Sequence, residues 1–470
     1  MMSTRRRSIA AALAALLATL LVMLLAPAGS LGAPDSDSPA LERSRANDHQ
    51  VRAWSKDAVI YEVNVRQYTE EGTFEAFAEH LPRLEELGVD ILWFMPIHPI
   101  GEENRKGTLG SYYSVRDYRG VNPEFGTKED FGDLVEQAKD RGFKVMMDFV
   151  PNHTAWDHPW VAENPDWYMQ DEAGEIVHPP GTDWTDVAQV DWDNRELRAA
   201  LIDAMRYWVR EFDIDGYRVD FVGGVPDDFS RQARKALDRI KPVFMLAEDE
   251  QKTHLLKRDY HANYAWWLFH TMTQVAGGEA SAGDVREYVD WMQDTYPKGG
   301  YPMTFTSNHD ENSWNGTTRE LFGEAEHTMA VLTFALPGMP LIYSGQEAGL
   351  DHRLEFFEKD EISWDDLSMQ DFYEQLVDLK KGNEALWNGI DGGPAEFLPA
   401  SDPDTLAFQR EKGDNRVVVV MNLSGEASSS TVRAADAAGY YEDYFAGEPF
   451  QLGAEHSFEL DAWEYRVLVR

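Results

Sequence analysis

Three carboxylates close short apolar runs. Asp220 ends Gly216-Tyr217-Arg218-Val219-Asp220, Glu248 ends Val243-Phe244-Met245-Leu246-Ala247-Glu248, and Asp310 ends Thr306-Ser307-Asn308-His309-Asp310. A carboxylate beside buried backbone is costly to desolvate, so three such endings in one chain point to a site. In an extended segment residues two apart share a face, which sets Arg218 beside Asp220 and favours the ionised carboxylate that a nucleophile requires. The apolar run before Glu248 acts in the opposite sense and favours the protonated acid that donates to a leaving group; the adjoining Asp249 and Glu250 are expected to push the same way. His309 supplies an imidazole able to hydrogen-bond a hydroxyl. Each piece alone has a plainer explanation: a structural ion pair at Arg218–Asp220, an ordinary strand end at Glu248, a helix cap or loop-ordering residue at Asp310. Together, one ionised carboxylate, one protonated carboxyl and a third acid to stabilise positive charge are what glycosidic cleavage with retention needs.

The surrounding pattern explains how three distant acids meet. Residues 58–65, 89–96 and 144–150 are apolar and strand-like. Thr73 to Leu87 has helical periodicity with Pro82 inside it, and Thr127 caps a helix through Arg141 that Gly142 stops. Further strands are expected near 216–221, 243–248, 303–308 and 340–344, with helices at 194–211 and 228–240. The sixth strand is the weakest signal, placed around Tyr264 to Phe269. Near-continuous apolar strands alternating with helices predict a parallel sheet covered on both faces, here a closed (β/α)8 TIM barrel whose strand ends gather at one mouth. Residues 151–193 break the alternation and read as a small insertion domain after strand 3. From about Gly389 short alternating runs such as Arg416 to Met421 and Glu464 to Val469 predict a C-terminal antiparallel β-sandwich domain. The expected organisation is a signal peptide over 1–33, a linker over 34–50, a barrel over 51–388 and the β-domain over 389–470.

Composition narrows the partners. Among 470 residues, 83 are acidic and 43 are Lys or Arg, a net charge of −40, while 12% are aromatic. Such a surface repels nucleic acid and anionic membranes, and excludes both as expected partners. A neutral polyhydroxylated ligand suits it, because Trp and Tyr stack on apolar sugar faces while carboxylates accept hydroxyl protons. The acid excess is also how salt-tolerant proteins stay soluble. Arg5-Arg6-Arg7, the apolar run from Ile9 to Ala26 and the small residues up to Ala33 read as a cleaved export signal, giving a secreted or periplasmic protein; retention as a membrane anchor is the alternative. With no cysteine, disulfides, lipid attachment through Cys and thiolate chemistry are excluded. Nothing in the sequence sets an oligomeric state.

Two further segments complete the motif set: Asp148-Phe149-Val150-Pro151-Asn152-His153 after strand three, and Gly338-Met339-Pro340-Leu341-Ile342-Tyr343-Ser344-Gly345-Gln346-Glu347 at strand eight. These five segments, in this order and at these separations, resemble the α-amylase family of glycoside hydrolases over about residues 57–385. The resemblance implies Asp220 as nucleophile, Glu248 as general acid/base and Asp310 as transition-state stabiliser. It places Arg218, His153 and His309 around the sugar that is attacked, Tyr113 stacked on that sugar, and Asp148 in a structural role. It implies an endo-acting α-1,4-glucan hydrolase, with a glucanotransferase or a sucrose- or trehalose-acting relative as the alternative and a non-catalytic, membrane-anchored relative as a remoter one. No cofactor is required for that chemistry.

Two departures bear on these expectations. Many family members bind calcium through an Asn matching Asn152 and an acidic residue in the region of 187–194, where this chain has Gln189; losing a charged oxygen weakens such a site. Phe221-Val222-Gly223-Gly224 replaces the Lys-His pair that many relatives use on the leaving-group side, which opens the balance of hydrolysis and transfer. In the β-domain, Trp463, Tyr440, Tyr441 and Tyr444 are expected in packing rather than in sugar binding.

Overall fold

The structure is a computed structural model that describes residues 39–470. The expected signal peptide therefore lies outside the described residues. Among those residues no helix is long and apolar enough to cross a membrane.

Ten strands build the barrel and its insertion: β1 (Ile60–Val63), β2 (Ile91–Phe94), β3 (Lys144–Phe149), β4 (His153–Ala155), β5 (Val187–Gln189), β6 (Gly216–Val219), β7 (Phe244–Ala247), β8 (Ala262–Tyr264), β9 (Tyr301–Thr304) and β10 (Met339–Tyr343). Eight of them close a parallel barrel in the order β1-β10-β9-β8-β7-β6-β3-β2. Every residue of β1, β2, β6, β7 and β10 is buried, because helices cover the outside and side chains fill the inside. Register carries the site: Arg218 lies opposite Asp148 on β3 and opposite Leu246 on β7. Asp220 and Glu248 each follow the last residue of their strands and so emerge at the same carboxyl-end mouth.

Local chemistry sets the boundaries. Thr127 forms a capping box with Asp130 at the start of the helix Lys128–Asp140, as its sequence predicts. The Thr73–Leu87 pattern is two helices, Phe74–Ala78 and Leu81–Leu87, rather than one kinked helix. Pro82 sits in the first turn of the second, where a missing N–H costs nothing. The sixth barrel strand, β8, lies earlier than the apolar run suggests. Its polar Asn263 accepts a hydrogen bond from Tyr296 Oη at 2.8 Å, while Trp266 to Phe269 begin the helix Trp266–Ala276. The expected linker over 34–50 is corrected at its second half, since Pro39–Ser55 is a helix (α1). Its polar residues are contact residues: the buried Asn47 donates to Asp238 Oδ1 and to the Asp238 carbonyl, both at 3.0 Å, and Asp48 pairs with Arg234.

The excursion after β3 is held by antiparallel pairing of β4 with β5, His153 opposite Gln189. The C-terminal region is antiparallel, with a six-stranded sheet and a separate two-stranded pairing of Ser428–Arg433 with Glu455–Leu460. Ser44–Arg470, barrel and β-region together, is one compact unit. Arg410, 1% exposed and reaching out of the C-terminal sheet, helps to join the two parts. Its guanidinium donates to the carbonyls of Gly393 at 2.8 Å and of Ala335, Leu336 and Trp387, each at 3.0 Å. In the C-terminal region Trp463 and Tyr444 pack against the core and Tyr441 is buried, whereas Tyr440 is exposed.

Arg410→Ala strands several buried carbonyls at once. It should cost on the order of 3 kcal/mol of stability, seen as a lower denaturant midpoint. An unchanged midpoint would mean that these carbonyls find other donors.

Candidate active site

Arg218 is the hub. It is wholly buried, and its Nη1 lies 2.8 Å from Asp220 Oδ1 and 3.0 Å from Asp148 Oδ1, while Nη2 lies 2.9 Å from Glu248 Oε1. Its Nε donates to Tyr264 Oη at 3.1 Å, and the rings of Trp93, Tyr113 and Tyr264 surround it at 5.3, 5.6 and 5.7 Å. Asp220 and Glu248 thus stand side by side on the two ends of one guanidinium, an arrangement suited to the roughly 5 Å separation of a retaining pair. Asp148 is fully buried beneath them.

Burial pushes the Glu248 carboxyl above its usual range. Arg218 opposes the shift, and the charges of Asp220 and Asp310 add to it. The repulsion comes from Asp220 beside it and Asp310 across the mouth, not from Asp249 and Glu250, the sequence neighbours expected to supply it. The Phe221 backbone N–H donates to Glu248 Oε2 at 2.6 Å. To aim it there, Phe221 takes a left-handed backbone with φ +45°, sparsely populated for a bulky residue. Gly224 makes room: a Cβ at this glycine would fall 2.6 Å from the Phe221 ring and 2.9 Å from Asn152 Oδ1.

Asp310 lies beyond its strand, six residues after the end of β9, and begins the turn Glu311–Asn315 without capping it through its side chain. That removes the helix-cap explanation. Its carboxylate is 39% exposed into the mouth, 3.4 Å from His309 Nε2. His309 itself is clamped from below, with Nδ1 2.5 Å from the buried Glu62 Oε1. Burial opposes a charged imidazole, but Asp310 and Glu62 outweigh it and lift His309 to about 9. The cation then donates from both nitrogens, so Tyr113 Oη, 2.8 Å from Nε2, accepts from His309 and donates onward to Asp148 Oδ2 at 3.1 Å. The Tyr113 ring stacks on His309 at 5.2 Å and also lines the cavity. His153 borders the same cavity as a neutral imidazole, since burial lowers its pKa.

The cavity holds about 630 Å³ and takes in Asp220, Glu248, Asp310, Tyr113, His153 and His309; Arg218 lies just beneath it. Trp184, Trp314, Phe356 and Glu62 are contributors not singled out from the sequence, whereas Phe221 belongs to the segment already noted on the leaving-group side. Trp184 and Phe221 meet edge-on at 5.4 Å on the side where Phe221 touches Glu248. Trp314, half exposed, leans on Phe356 at 5.2 Å beside Tyr113. Glu62 carried the same signal as Asp220, a lone acid in an apolar strand. Trp184 and Phe356 come from loops and Trp314 from the single turn Glu311–Asn315, all too short or irregular for periodicity, and they gave none.

The expected metal position has a different occupant. Gln189 Nε2 donates to the Asn152 carbonyl at 2.9 Å, to Asn152 Oδ1 at 3.4 Å and to the Val190 carbonyl at 3.1 Å. An amide nitrogen thus points at the oxygens a calcium ion would use, and Gln189 adds no carboxylate. This donor set does not fit the ion.

A (β/α)8 barrel with an acid pair on one buried arginine and a third acid across an aromatic-walled mouth defines a glycoside-cleaving site. Residues 44–388 match the model of the α-amylase catalytic domain and residues 395–467 that of the maltogenic amylase C-terminal domain, and the chain belongs to the α-amylase family. It is 30% identical to α-amylase MalA of Haloarcula japonica over 399 residues, covering 80% of this chain and 57% of that relative. Among solved structures, a noncanonic maltogenic α-amylase, AmyB of Thermotoga neapolitana, superposes with a TM-score of 0.80 at 28% identity, covering 88% of this chain and 98% of AmyB. An α-amylase of Lactobacillus plantarum gives 0.77 at 30% identity, covering 88% and 99% of the two chains.

Glu248→Gln should lower kcat on starch by about 10²- to 10⁴-fold. A burst of fluoride from maltosyl fluoride, whose leaving group needs no proton, should survive. Equal loss on both substrates would remove Glu248 from the acid role. In the wild type, activity on starch should fall as pH rises through the raised Glu248 value, because the acid then loses its proton. A starch profile without an alkaline limb would contradict this.

Proposed function

We propose that this chain is an exported retaining hydrolase that cleaves α-1,4 bonds in starch-type glucans and maltooligosaccharides and releases short products. The observation that carries the reading is the pairing of Asp220 and Glu248 on the two ends of Arg218. One carboxylate attacks the anomeric carbon, the other protonates the leaving oxygen and then activates water, and Asp310 faces the developing positive charge. Short products, rather than the random internal cleavage expected of an endo-acting enzyme, follow from the wall of Trp314 and Phe356 beside Tyr113. That wall limits how far a donor chain extends past the attacked sugar. The maltogenic family of the C-terminal domain and of the AmyB neighbour points the same way. In a time course on amylose, maltose-sized products should dominate from the start, and Trp314→Ala should lengthen them. An early ladder of long products from the wild type would restore the endo-acting reading.

Transfer to sugar acceptors is a second reading, favoured by Trp184 and Phe221. These rings flank the acid on the leaving-group side and offer stacking that water cannot use. With maltoheptaose, the wild type should form some chains longer than the substrate, and Phe221→Ala should reduce their share several-fold relative to hydrolysis. An unchanged share in the variant would remove the platform from acceptor selection.

The Gln189 amide leads us to propose that no calcium ion is needed between β3 and the insertion. Chelator and added calcium should leave Tm unchanged in the wild type, whereas Gln189→Asp should make Tm rise with calcium. A calcium-dependent Tm in the wild type would overturn this.

A further inference from the structure

The end of the barrel opposite the mouth carries a second cavity, of about 360 Å³. It lies between α1, the loop before β8, the loop before β9 and the junction with the C-terminal sheet. Its rim holds Arg45, Arg52, Lys56, Lys257, Arg258 and Lys298, against only Asp48 and Asp391. In a chain with a net charge of −40 this is an inversion of local sign.

Both rim carboxylates are already engaged. Asp391 Oδ1 accepts from Arg52 Nη2 at 2.6 Å, and Asp48 pairs with Arg234. Among the described residues, Arg45, Lys257, Arg258 and Lys298 have no carboxylate within 4.0 Å, although acids outnumber bases about two to one in the chain. Lys56 rests on the Trp387 ring at 3.6 Å. The floor is polar, with Ser55 Oγ 3.4 Å from Tyr301 Oη. Left unscreened, these cations repel one another and destabilise the face that holds them, so an anion bridging them relieves a standing cost.

We propose that this cavity binds a phosphate group. Two guanidinium forks, Arg45 and Arg258, with the ammonium groups of Lys257 and Lys298 on the same rim suit a compact multivalent oxyanion better than a single carboxylate. Catalysis sits at the other end of the barrel, so the site holds the enzyme to a phosphate-bearing ligand without touching the reaction. A free phosphate compound and a lipid headgroup share this chemistry.

The test uses the whole chain and the double variant Lys257→Glu/Arg258→Glu. Both substituted residues are exposed and remote from the mouth, so maltoheptaose hydrolysis should be unchanged. Orthophosphate should raise the wild-type Tm more than chloride at equal ionic strength, with calorimetric affinity falling about tenfold or more in the variant. Vesicles of phosphatidylglycerol should retain the wild type and release the variant if the natural source is a headgroup; binding of orthophosphate alone points to a soluble ligand. The proposal is overturned if phosphate acts only as chloride does and vesicles do not bind, or if the variant binds either probe as well as the wild type.

Discussion

One buried guanidinium constrains this molecule more than any other group. Arg218 sits where water cannot reach it, and an uncompensated charge there would cost several kcal/mol. The chain compensates with Asp148, Asp220 and Glu248, together with a cage of aromatic rings. The cost of burying the charge therefore dictates where the carboxylates stand. β3, β6 and β7 must be neighbours in register, because each delivers one partner of the same arginine.

A second buried pair, Glu62 with His309, performs the parallel task on the other side of the mouth. It holds a charged imidazole under Asp310, and Tyr113 links it to Asp148 and so to Arg218. Asp220, Glu248 and Asp310 thus rest on a continuous polar floor set inside an apolar barrel. Above the floor, Trp184, Phe221, Trp314 and Phe356 form the walls of the cavity. In the function proposed above, floor and walls divide the labour: the floor carries the reaction, and the walls set chain length and acceptor.

The floor was legible in the sequence because its cost is local. An acid after Val-Phe-Met-Leu-Ala, or an Arg two residues before an Asp, is anomalous without knowledge of the fold, and the alternation of strands and helices predicted the barrel. The same logic would have reached Glu62, an acid inside Ile-Tyr-Glu-Val. The walls were not legible, since an aromatic residue in an irregular loop has no periodicity to betray which way it faces. Pattern reading also failed where polar residues are buried through partners far away. Asn47 and Asp48 looked like linker until Asp238 and Arg234 were placed beside them, and β8 hid behind the polar Asn263. The repulsion on Glu248 comes from residues distant in sequence, Asp220 on the neighbouring strand end and Asp310 across the mouth, which adjacency along the chain does not reveal.

The central claim is that Asp220, held by Arg218, forms the covalent bond to the sugar. Incubation with a fluorinated glucosyl fluoride that slows release of the enzyme-bound sugar, followed by mass spectrometry of the intact chain and its peptides, tests this directly. The account predicts one added glycosyl unit, located on Asp220 and absent from Asp220→Asn. An adduct on Asp310 or Glu248, or turnover of starch by a wild-type enzyme that never accumulates an adduct and inverts the anomeric centre, would contradict it.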